Sequence, residues 1–214
     1  TLAPLPSTAP PVVGAEEVAA LIPDARLEVV EQAGHLAAGD NPHSTTGRIE
    51  AFLAALHVEL DLRADALDAT VGRKRPPLET LYLGGGTPSM LPTAELADLI
   101  AHVRARFGLA KDAEITVEAN PGPDERGDPA AMVAAGVTRL SLGAQSMADG
   151  TLTRLGRRHR ARHVAQAVGA AREAGMPSIS LDLLYDVPGG SLVAWMTTLD
   201  AALELAPDHL SLYA

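Results

Sequence analysis

From Gly72 onward the chain repeats a single pattern, and few folds can accommodate it. Short apolar runs at Leu81–Leu83, Ile115–Val117, Val137–Leu142, Ile179–Leu184 and His209–Tyr213 are separated by amphipathic stretches near Ala94–Phe107, Ala130–Ala135, Ala161–Ala174 and Leu192–Leu203. The runs read as buried strands and the stretches between them as crossover helices. Strands joined in this way form a parallel sheet of βα units, an α/β architecture. The five strands expected here are too few for a closed eight-stranded barrel. An open sheet and a partial barrel both remain compatible with the pattern.

Upstream of Gly72 the pattern is different. Residues 1–12 are proline-rich and uncharged, which suits a linker or an irregular segment. A short helix is expected over Ala15–Leu21, stopped by Pro23, then a strand-like run at Leu27–Val30 and a turn at Gly34-His35. A helix is expected from about Thr45, with Phe52, Leu53, Leu56, Leu60 and Leu67 as its apolar positions. Charge does not mark a boundary. Residues 1–57 carry seven acids and two bases, and residues 58–214 carry twenty and fifteen, so each part sums to −5.

Composition removes several functional classes. The net charge of −10 makes a general nucleic-acid binder a poor reading, because affinity for phosphate comes from cationic surface. No apolar run approaches the roughly 18 residues that cross a bilayer, and no charged segment leads into a signal-like apolar one. A cytoplasmic location is therefore expected. The 214 residues include no cysteine, which excludes disulfides, thiolate nucleophiles and cysteine-held zinc or iron–sulfur sites built from this chain alone.

Polar residues recur where the expected strands end. Gly84-Gly85-Gly86-Thr87 follows the first strand. The three glycines let the backbone approach a ligand closely and leave its amides free to donate, although a tight strand-to-helix turn would use them too. The loop is neither a Walker loop nor a dinucleotide fingerprint. Thr93 is the expected N-cap of the following helix, with Glu95 in its first turn. Glu118 ends the second strand, Gln145 lies just past the third, and Asp182 sits inside the apolar run of the fourth. A buried carboxylate must be paired or functional. In a βα array these positions converge on the carboxyl edge of the sheet, where such folds place small-molecule sites. Arg154, Arg157, Arg158, Arg160 and Arg162 cluster with His159 and His163. They read as a solvated helix start, a nucleic-acid contact, or one arginine reaching into the site.

These motifs carry a resemblance. Tyr82 to Ser89, Glu114 to Gly122, Gly136 to Ser146, Leu155 to His159, Asp182 to Gly189 and Pro207 to Ser211 together resemble the radical SAM proteins of the oxygen-independent coproporphyrinogen III oxidase-like family. The likeness is greatest to its heme-chaperone (HemW-like) branch. The resemblance implies a partial (β/α) barrel over residues 57–214 that binds S-adenosylmethionine. Gly85, Gly86 and Thr87 would contact the methionine moiety, Glu118 the ribose hydroxyls, and Gln145, Arg157 and Asp182 would complete the pocket. It also implies heme or a porphyrin as the small molecule handled, with a heme-acceptor protein as a transient partner. Asp186 departs from the family, which usually has glycine there. The family's C-x3-C-x2-C motif, which holds its [4Fe–4S] cluster, has no counterpart among these residues. This chain is therefore expected to bind S-adenosylmethionine weakly at most and to perform no radical chemistry.

Residues 13–56 resemble the C-terminal end of an α/β-hydrolase. Ile22 to Val30 leads into Ala33-Gly34-His35, with His35 at the usual place of the triad histidine, and a last helix follows over Ile49–Leu56. No G-x-S-x-G elbow occurs in the sequence, so His35 lacks a nucleophile within it. The fold expected is thus an incomplete radical SAM (β/α) barrel preceded by an α/β-hydrolase-like fragment. Two further classes stay open: a heme- or small-molecule-binding module without catalysis, and a hydrolase fragment supplied with its nucleophile from elsewhere.

Overall fold

A computed structural model describes residues 42–214, with side chains from Ile49 onward. The expected linker at 1–12, the helix at Ala15–Leu21, the strand at Leu27–Val30 and His35 lie outside the described residues. The chain divides into two units, Thr1–Ala51 and Phe52–Ala214, and the second holds the sheet.

Helix α1 spans Pro42–Val71, starting three residues before the expected Thr45 and running past Leu67. Proline suits the first turn of a helix because its missing N–H would have no partner there. The helix stops at Gly72, whose φ of +81° favours glycine and whose N–H returns to the Asp68 carbonyl at 2.9 Å. Within the second unit, α1 buries Leu53 and Ala64. Its Asp61 and Asp65 meet Arg106, and its His57 lies 3.4 Å from Asp98.

Five strands follow: β1 (Leu78–Leu83), β2 (Leu109–Ala119), β3 (Arg139–Gln145), β4 (Ser178–Leu184) and β5 (His209–Tyr213). Between them lie α2 (Thr93–Phe107), α3 (Pro129–Ala134), α4 (Asp149–Arg154), α5 (Ala161–Glu173) and α6 (Leu192–Leu203). All neighbouring strands are parallel, and their order in space is their order in the chain. That order resolves what the strand–helix pattern alone leaves open, and it agrees with the incomplete barrel implied by the resemblance. A doubly wound sheet reverses direction at a switch point. A sheet that never reverses, with right-handed crossovers, keeps its helices on one face and wraps as a (β/α) barrel does. The protein is an incomplete barrel of this kind.

The consequence for side chains is direct. Ile115, Val117, Leu140, Leu142, Ile179, Leu181 and Leu183 point to the helical face and pack with Leu96 and Ile100 of α2, Met132 of α3 and Val164 and Val168 of α5. The alternate residues point to the opposite face and are polar: Glu114, Thr116 and Glu118 on β2, Arg139 and Ser141 on β3, Ser180 and Asp182 on β4, His209 and Ser211 on β5. The strands read from the sequence as buried runs are thus two-faced, apolar towards the helices and polar on the other side.

Two local expectations need correction. Thr93 is not the N-cap of α2; Pro92 holds that place, its carbonyl accepting from Glu95 N and Leu96 N, and no side chain caps the helix. Helix α4 lies where the sequence pattern places no helix: it is six residues long and, unlike the equally short α3, no side chain caps its start. Among the described residues, no helix is long and apolar enough to cross a membrane.

Candidate functional site

The carboxyl ends of the strands surround a cavity of about 250 Å³. Gly86, Glu118, Asn120, Ser141, Gln145, Arg157, Asp182 and Tyr213 line it. Parallel strands all end on the same edge, so residues far apart in sequence meet there. Register fixes the pairing: Glu118 lies opposite Ser141, and Asp182 opposite Ser211.

Glu118 is held from two sides. One of its oxygens accepts from the Tyr82 hydroxyl at 2.8 Å, and the other from the Gly85 amide at 3.1 Å. Partial desolvation, reinforced by the hydrogen bond to Glu118, pushes the Tyr82 phenol up to about 12, although more than half of the residue's surface is exposed. This leaves it a proton donor throughout the physiological range. Gly84 makes the approach possible. A Cβ there would stand 2.8 Å from the Tyr82 ring and 2.9 Å from the Glu118 carboxylate. Gly85 and Gly86 have φ of +85° and +92°, where L side chains are strained. The glycine run is therefore needed both for its turn and for the carboxylate it cradles. Thr87 sits at the rim, its hydroxyl accepting from Asn120 Nδ2 at 3.2 Å.

Asp182 answers the requirement that a carboxylate inside an apolar run be paired. The Ser141 hydroxyl lies 3.1 Å from each of its oxygens. Burial nonetheless pushes its carboxyl above the usual range; hydrogen bonds from Ser211 and Ser141 oppose the shift, and the charge of Glu118 adds to it. Gln145, the last residue of β3, has φ of +62° at a point where the pairing with β4 shifts register. Arg157 comes from the loop between α4 and α5, and is the member of the basic cluster that lines the cavity.

Five of the seven residues singled out in the sequence thus line one cavity: Gly86, Glu118, Gln145, Arg157 and Asp182. Gly85 and Thr87 reach it through Glu118 and Asn120. Tyr82, Ser141 and Tyr213 were missed, although they occupy the same polar alternation as Glu118 and Asp182. A period of two in strands assumed to be buried on both faces is the signal that would have found them.

Beyond geometry, the protein resembles known families. A model of the radical SAM superfamily matches residues 57–202. The chain is 43% identical over 163 residues to "Heme chaperone HemW" of Mycobacterium tuberculosis (strain ATCC 25618 / H37Rv), spanning 76% of this chain and 40% of that protein. It is 40% identical over 173 residues to the protein of that name from Escherichia coli (strain K12), spanning 81% of this chain and 45% of the relative. The solved structure of Escherichia coli coproporphyrinogen III oxidase (HemN), a radical SAM enzyme, superposes with a TM-score of 0.66 at 30% identity, covering 78% of this chain and 38% of that one. The chain therefore spans less than half the length of these proteins.

Proposed function

Because the chain belongs to the radical SAM superfamily, we propose that the cavity at the carboxyl ends of its strands is an S-adenosylmethionine pocket in a protein that handles heme or a related porphyrin. The observation that carries this reading is the convergence of Gly86, Glu118, Gln145, Arg157 and Asp182 on one cavity from separate βα units. The residues fit the cofactor's chemistry. Glu118 is a fixed carboxylate that can accept from the ribose hydroxyls, and the Gly85–Thr87 turn presents backbone close to the ligand. Arg157 is the cation available to a carboxylate of the ligand, and Gln145 and Asp182 complete the wall.

A [4Fe–4S] cluster does not fit these residues. The chain has no cysteine, and among the described residues no three histidines or carboxylates are grouped to hold a metal. In this family a bound cluster and S-adenosylmethionine together supply radical chemistry; no such step is assigned to these 214 residues. Heme as the molecule handled, and a heme-acceptor protein as partner, rest on the name carried by relatives 40–43% identical over most of this chain. A cytoplasmic location belongs to the same reading.

The test is a titration of the 214-residue protein with S-adenosylmethionine, followed by calorimetry and by backbone NMR. Weak binding is expected, with the amide signals of Gly85, Glu118 and Gln145 moving together, and Gly84→Ala abolishing the response. Signals that stay fixed in the wild-type protein would reject the pocket. Tight binding would overturn the view that affinity is lost with the cluster.

A further inference from the structure

His159 shares a motif with Arg157 but does not line the cavity, and the proposed function gives it no role. It is 3% exposed, the most enclosed of the seven residues in the basic cluster, and it stands between α4 and α5. Its Nε2 is 3.1 Å from the Ala144 carbonyl oxygen. A carbonyl can only accept, so Nε2 carries the proton and the ring is in the Nε2–H tautomer.

The atom it reaches is a demanding one. The Ala144 carbonyl also accepts from Ser146 N at 2.7 Å, closing a tight turn around Gln145. That turn forces Gln145 to φ of +62°, a conformation that side chains other than glycine rarely adopt. The Gln145 side chain folds back over the strand: a Cβ at Gly143 would come within 3.2 Å of its Nε2. A strained residue persists only where its surroundings over-determine it. On the other side, Arg157 lies two residues before His159, after Gly156 at φ of +67°, with its N–H on the Leu152 carbonyl at 2.9 Å. The imidazole thus ties the loop carrying one cavity residue to the turn carrying another.

We propose that His159 is a positioning residue of the cavity, holding Gln145 and Arg157 in place through its hydrogen bond to the Ala144 carbonyl. A histidine is a poor choice merely to fill a core, since a leucine of similar volume carries no polar atom to satisfy. The electrostatics agree with a neutral ring. Burial lowers its affinity for a proton, the Ala144 contact opposes this, and Arg157 and His163 push the same way as burial while Glu125 pulls back. The consequence for ligand affinity rests on the S-adenosylmethionine reading; the consequence for Gln145 and Arg157 does not.

Three measurements test it on the 214-residue protein. Long-range nitrogen–proton NMR of the wild type should show His159 as the Nε2–H tautomer, and the Nδ1–H form would overturn the proposal. In the ligand-free protein, His159→Leu should shift the amide signals of both Gln145 and Arg157, whereas His159→Gln, which keeps a donor, should leave them near their wild-type positions. Affinity for S-adenosylmethionine should fall about tenfold in the leucine variant and be largely restored in the glutamine variant, the scale expected for one lost buried hydrogen bond. A folded leucine variant with unmoved Gln145 and Arg157 signals would refute the positioning role. If the wild type binds no S-adenosylmethionine while the tautomer and the amide shifts are as expected, the pocket assignment fails and the positioning role stands.

Discussion

Asp182 shows how one residue can be legible in sequence while its behaviour is not. Its place inside an apolar run marks it as paired or functional, but the partner, Ser141, is 41 residues away and is brought near only by the sheet. Burial raises its carboxyl above the ordinary range, so the folded state holds that proton more tightly than the unfolded chain does. Stability from this group is complete below the unfolded carboxylate value and is lost as pH rises through the raised folded one. Asp182→Asn, which stays neutral, should therefore show a flatter dependence of stability on pH from the carboxylate range upward, and equal or greater stability at neutral pH. Urea midpoints measured across that range check it, and a variant whose curve parallels the wild type would contradict the burial argument. Tyr82, by contrast, carries no mark in the sequence beyond its place in the motif before the glycine run. Only its 2.8 Å contact with Glu118 gives it a place in the site.

The elements were easier to read where a local rule fixes them. Helix α3 is six residues long, too short to rely on its own propensity. Its start is set by Asp128, whose carboxylate accepts from Ala130 N at 3.0 Å and Ala131 N at 3.2 Å, with Pro129 as the first helical residue. Asp128→Ala should cost about 1 kcal/mol of stability, read as a shift in the urea midpoint at unchanged slope. Strand β2 illustrates the reverse. Only Ile115–Val117 stands out as apolar, yet the strand runs from Leu109 to Ala119. Its first half carries Lys111, Asp112 and Glu114, which a buried parallel strand would not be expected to tolerate. They are accommodated because these positions are exposed, and Glu114 meets Arg139 of β3 at 3.1 Å. Tertiary placement overrode the composition of the segment.

At the scale of the molecule, the second unit has its apolar mass on one side of the sheet, where α2, α3, α5 and α6 converge on β2, β3 and β4. Leu142 is fully buried at the centre of that layer. Leu142→Ala should destabilise the unit by about 2–5 kcal/mol through lost burial and the cavity left behind. Unfolding followed by far-ultraviolet circular dichroism and by the fluorescence of Trp195, the single tryptophan, should give coincident transitions, since both report on one core. Separate transitions would show that α6 melts apart from the sheet. The alternation of apolar runs with amphipathic helices determined the class of fold, because the period of each segment depends on local geometry alone. The glycine run and the polar strand ends determined which residues were candidates, because a loop that needs positive φ and a carboxylate in an apolar run are unusual wherever they occur. Strand order, which the alternation by itself leaves open between an open sheet and a partial barrel, was decided by tertiary structure. So were the pairing of Asp182 with Ser141 and the link from His159 to Gln145. Each depends on which strand lies beside which, and contacts between residues tens of positions apart leave no period in the chain to read.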